Sequence, residues 1–183
     1  MYNAKLDVRK LVASALFMAL GLVLPFLTGS NPAIAKVLSP MHIPIFLCGM
    51  ACGWKYGLAV GIITPLLRSF LFGMPALMPN AVGMAFELGT YGLVIGLTYA
   101  IFRKKGIVGI YVSLIMAMLA GRIVWGLISP LTYGLAGDEF SFAIFLAKGF
   151  TNQIPGTITT LIIVPLIMVA LLRTGLVDDA INR

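Results

Sequence analysis

Sixty per cent of the 183 residues are hydrophobic and only 10% carry a charge, against roughly 25% charged in a soluble domain. No water-facing surface can be made from such a chain, so lipid must be the solvent for most of it. The net charge of +7 and the pI near 9.7 do not call for nucleic acid as a partner, because helical membrane proteins keep Lys and Arg in the loops that stay in the cytoplasm.

A helix needs about 20 apolar residues to cross the hydrocarbon, and six segments meet this in whole or in part. The first, 9–27, has Lys5, Arg9 and Lys10 ahead of an apolar run from Leu11 to Leu27. Basic residues before an apolar run also open a signal peptide, but this run is long for one, and we read it as a retained helix. Thr28-Gly29-Ser30-Asn31-Pro32 ends it, since Gly and Pro break helices. The loop that continues to His42 is long enough to act as a lid. The second segment, 43–53, carries Pro44 in its first turn and is too short to cross if straight. Trp54-Lys55-Tyr56 reads as an interfacial turn. The third segment is 57–72 with Pro65 inside, the fourth 80–102, and the fifth 107–128. The sixth is 142–172, bent at Pro155 and Pro165. The expected fold is an all-α integral membrane protein of six transmembrane helices, the second short, with a long first outer loop. All of it forms a single domain over 1–183.

Charge sets the orientation. With the N-terminus inside, Lys5, Arg9, Lys10, Lys55, Arg103, Lys104, Lys105, Arg173 and Arg183 fall in cytoplasmic segments, and the outer loops hold Lys36. That asymmetry places both termini in the cytoplasm.

Gly49, Gly53, Gly57 and Gly61 recur at every fourth position, and Gly92 and Gly96 repeat the spacing. Small residues so placed let helix backbones approach closely in lipid, and packing is the reading we prefer. Cys48 and Cys52 share a helix face and lack the His or acidic neighbours of a metal site, so they read as small packing residues. Ala15 and Ala19 make a small strip on the first helix. It serves either packing within the chain or docking of another membrane protein.

Ionisable groups inside the membrane are costly and mark substrate or ion paths. Arg68, Glu87, Arg122 and Lys148, with Asn152 and Gln153, fall at a similar depth in the outer half of the membrane when counted at about 1.5 Å per residue. One reading pairs Glu87 with Arg68 or Arg122 and ends there. The other makes an outward-facing pocket with a surplus of positive charge, suited to a carboxylate or phosphate. In that pocket Trp125 supplies an apolar wall and Tyr91 a hydroxyl, and Asn80 and His42 face the mouth. No G-x-x-x-x-G-K-[ST], H-E-x-x-H or G-x-S-x-G motif is present. The expectation is a protein that is not an enzyme and uses no cofactor or metal.

The Ala15-x-x-x-Ala19 strip, the long first loop, Met41-His42-Ile43-Pro44, and Cys48-Gly49 followed by Gly53, Gly57 and Gly61 together resemble the substrate-binding S-components of energy-coupling-factor (ECF) vitamin transporters. His42-Ile43-Pro44 and Thr64-Pro65-Leu66-Leu67-Arg68 look most like pantothenate members. Many members carry an acidic residue in the third helix where this chain has Arg68. The resemblance implies a vitamin bound near the outer face under a first-loop lid. It also implies docking through the first helix on a shared transmembrane coupling protein, with two cytoplasmic ATPases as the motor. Folate, a pyridoxine-type vitamin and riboflavin stand as other ligands. A stand-alone small-solute transporter and a ligand-free scaffold subunit stand as other functions.

Overall fold

The computed structural model describes residues 8–27, 40–137, 141–149 and 151–174. All regular structure among them is helical: α1 (Val8–Leu27), α2 (His42–Cys52), α3 (Trp54–Phe72), a π-helical turn (Leu77–Ala81), α4 (Val82–Phe102), α5 (Ile107–Ala136), α6 (Phe142–Gly149) and α7 (Ile154–Arg173). Five segments are long and apolar enough to span a bilayer: Val8–Phe26, Trp54–Phe72, Leu77–Lys105, Ile107–Ala136 and Ile154–Arg173. Where six crossings were expected, the described residues hold these five and a shorter apolar helix, α2, whose 11 residues reach little more than half of the ~30 Å hydrocarbon.

α2 lacks a polar face, and every residue from Ile43 to Cys52 is buried. A helix that is apolar all round belongs inside, and α2 sits against α1, α3, α4 and α7. Cys48 and Cys52 are part of that buried surface. A single residue, Gly53, joins α2 to α3. Its φ of +93° is open to glycine and strained for any other residue.

The glycine spacing is the packing signal it was read as. A Cβ on Gly57 would lie 2.5 Å from the Gly92 carbonyl oxygen, a Cβ on Gly96 2.5 Å from the backbone of Trp54, and one on Gly61 would strike the backbone of Leu88. The contact pairs 57/92, 61/88 and 54/96 run in opposite senses, so α3 and α4 are antiparallel with their backbones in direct contact. Gly53 differs from the other members of the series, since nothing lies within 4 Å of its open side; it is there for the turn. Gly92→Ala is expected to cost more than the about 1–3 kcal/mol usual for overpacking, because what it meets is backbone. Gly134→Ala, which would touch nothing within 4 Å, is expected to be close to neutral. The unfolding midpoints of the two variants in detergent check this.

α5 continues antiparallel to α4, with Gly109 against Phe102 and Gly121 against Tyr91. α1 runs parallel to α3, with Gly21 near Thr64 and the Phe26 and Phe72 rings 4.8 Å apart. We call the end where α1, α3 and α5 finish and α2, α4 and α7 begin the upper end. Hydroxyls in the spans bond the carbonyl one turn back, as Thr64, Ser113 and Thr160 do to Val60, Gly109 and Gly156, so they need no water.

Two expectations about elements are corrected. The fifth helix runs past Pro130 to Ala136: a proline removes one N–H and is tolerated where neighbouring helices support the turn. The sixth segment is two helices rather than one bent helix. α6 ends at Gly149, and α7 starts afresh with Pro155 in its first turn, where the missing N–H costs nothing. Most of the first loop, the expected lid, lies outside the described residues.

Candidate functional site

The three polar side chains that meet between α4 and α5 form one cluster. Glu87 lies on the buried face of α4, and Tyr91, one turn later on the same face, donates its hydroxyl hydrogen to Glu87 Oε1 at 2.6 Å. Arg122 of α5 sets its Nη1 3.0 Å from the same oxygen. Gly121 makes this approach possible, because a side chain there would collide with the Tyr91 ring. The carboxylate is 4% exposed and the guanidinium 16%, so the acid is sealed while part of the base stays accessible.

The accessible side opens on a half-enclosed cavity of about 320 Å³ lined by His42, Phe46, Tyr91, Met118, Leu119, Arg122, Gln153, Ile154, Gly156, Thr157, Ile158 and Thr160. α2 supplies the inner wall: the Tyr91 ring lies 4.9 Å from Phe46 and 5.7 Å from His42, centroid to centroid. α7 supplies the facing wall, with Gly156 and Thr160 buried. The volume falls at the small end of the roughly 300–1,000 Å³ common for ligand pockets.

The structure gathers some of the expected residues and disperses others. Arg122, Tyr91 and His42 line the cavity. Glu87 stands behind Tyr91 and Arg122 and does not line it; its contacts are those that hold these two in place. Arg68 is elsewhere. It bonds the Leu22 carbonyl of α1 at 2.6 Å and lies 4.7 Å from the centroid of the Phe26 ring and 5.7 Å from that of Phe72. α3 packs on α1, which brings the guanidinium to that carbonyl and between the two rings. Trp125 stacks on Phe145 of α6 with ring centroids 6.1 Å apart and forms no part of the cavity wall. Asn80 sits exposed in the π-helical turn, between the buried Pro79 and Ala81, and does not line the cavity. Lys148 and Asn152 fall in α6 and in the short turn before α7, and their side chains lie outside the described residues. The expected cationic surplus is therefore reduced: among the described residues, Arg122 is balanced by Glu87.

Sequence reasoning left out Phe46, Met118, Thr157 and Thr160. Thr160 had a signal. Gly156, Thr160 and Val164 recur at four-residue spacing and are all buried, a stripe that turns inward. Ala15 and Ala19 are exposed on α1 and turned away from its packing with the other described residues.

Membrane-length helices gathered round a buried short helix, with a cavity whose one arginine is braced by a sealed carboxylate, describe a multi-pass membrane protein. The chain matches the family of ECF transporter substrate-specific components over residues 9–177 and belongs to it, which makes it the substrate-specific component of an ECF-type importer. No curated protein and no solved structure matches it.

Proposed function

We propose that the cavity between α2, α4, α5 and α7 binds a small water-soluble vitamin with one carboxylate, of which pantothenate is our best choice. The observation that carries this is Arg122 on the cavity wall. Glu87 engages its Nη1, and a guanidinium offers five N–H donors in a planar fork, so donors remain for an acceptor in the cavity. The volume suits a small ligand better than one of folate size. In this reading Tyr91 and Thr157 flank the carboxylate, His42 stands at the mouth, and Lys148 and Asn152 are further candidates for polar contacts to the ligand. Both termini face the cytoplasm and the upper end faces outward. The loaded protein works with a transmembrane coupling protein, on which the Ala15 and Ala19 face of α1 docks, and with two cytoplasmic ATPases.

The test is thermal unfolding of the purified chain with pantothenate and with pantothenol, which has the same skeleton with an alcohol in place of the carboxylate. Pantothenate is expected to raise the midpoint as a ligand of the native state does, and pantothenol is not. Equal shifts would refute carboxylate recognition, and no shift with pantothenate would send the search to the other vitamins.

A further inference from the structure

Among the described residues, the cavity is not closed on the side of α5 and α7. Leu119 is 60% exposed, Ile154 55% and Ile158 54%, yet all three line it. On α5, Leu119 belongs to an outward stripe with Ile123 and Leu127; on α7, Ile154 and Ile158 belong to one with Ile162. A side chain that is at once part of the outward stripe and part of the cavity wall marks an opening between the two. The two helices touch each other over a much narrower strip than α4 and α5 do, which leaves a slot.

Its depth follows from helix geometry. Leu119 lies roughly 18 Å above Ile107, the lower end of α5, and Ile158 roughly 22 Å above Arg173, the lower end of α7. Both heights fall inside a hydrocarbon layer of ~30 Å, so the medium at the mouth of the slot is acyl chain, not water. Phe46 and Met118 continue the apolar surface inward from the slot. An apolar void left empty forfeits dispersion contacts on every lining atom, and water finds no partners along such a wall.

We propose that the slot between α5 and α7 admits an acyl chain of a bilayer lipid, which fills the apolar part of the cavity beside Phe46 and Met118 when no vitamin is bound. This does not depend on which vitamin the protein carries. It adds a second class of occupant, with the consequence that a vitamin enters by displacing a chain from the apolar part of the cavity as well as water from the polar part around Arg122.

Lipids brominated at mid-chain quench tryptophan on contact, and the protein has two tryptophans, Trp54 and Trp125, neither of which lines the cavity. In a Trp54→Phe, Trp125→Phe background, three reporters are placed singly: Leu119→Trp at the slot, and Phe46→Trp and Met118→Trp inside. Each is reconstituted without vitamin in phosphatidylcholine nanodiscs with and without brominated chains, and folding is checked by circular dichroism. Leu119→Trp is expected to lose most of its emission, and the interior reporters are expected to lose a comparable share. If Leu119→Trp is quenched while whichever interior reporter folds keeps its emission, no chain enters and the proposal is overturned. The vitamin screen above reads binding alone, so its failure leaves this result intact.

Discussion

Arg122→Ala is expected to abolish vitamin binding and to destabilise the protein by about 3–5 kcal/mol, the range found when one partner of a buried ion pair is removed. The cost is mostly that of the group left behind. Glu87 is 4% exposed and its side chain contacts Arg122 and Tyr91; without the guanidinium, a carboxylate is stranded in a medium that cannot solvate it. Glu87→Ala is expected to cost less, since the arginine it releases is already 16% exposed and can turn into the cavity. Vitamin affinity should still fall, because Arg122 and Tyr91 both lose the atom that fixes them. Arg122→Met with Glu87→Leu removes both charges and keeps the volume, so most of the stability is expected to return. Binding is not. Unfolding midpoints of the single and double variants give the coupling between the two residues, and the pantothenate shift gives the functional half. A double variant that binds like the wild type would remove Arg122 from the site.

Depth was legible in part, and direction was not. Counting residues from the ends of apolar runs places Arg68, Glu87 and Arg122 in one layer; the structure pairs Glu87 with Arg122, while the 61/88 contact between α3 and α4 sets the Arg68 backbone roughly 9 Å above that of Glu87. Which neighbour each side chain faces depends on which helix packs where. In a lipid-solvated bundle every face of a helix is apolar, so periodicity does not single out the inner one. Arg68 and Arg122 looked equivalent for that reason, and the packing of α3 on α1 separates them. Where the inner face is marked by size, the sequence says more. Gly57, Gly61, Gly92 and Gly96 indicated a backbone-to-backbone contact, and that contact is present. Gly121, directly before Arg122, carried the same kind of information about Tyr91 and went unread. The break at Gly149 was masked by Pro155, which bends a helix from within or starts one, with the same letter for both. Glu87 is the one acidic residue among the described residues, so its pairing with an arginine could be foreseen, though not with which.

Ala15→Trp and Ala19→Trp are expected to leave folding and vitamin binding unchanged and to stop uptake. α1 presents Ser14 and Gly21 to the bundle, both buried, while Ala15 and Ala19 are exposed between Val12, Leu16 and Val23. A tryptophan at either position therefore extends away from α2 and α3 and disturbs no contact of the fold. In lipid it is harmless, since acyl chains yield to it. Against another helix it is not, because close approach in membranes depends on small residues, and an indole props the two backbones apart by more than dispersion contact spans. Vitamin-dependent thermal shift of the purified variants and ATP-dependent uptake by proteoliposomes containing the whole transporter separate the outcomes. Normal binding with lost uptake supports docking through α1. Undiminished uptake in both variants would mean that this face meets only lipid, and that the coupling protein engages another side of the bundle.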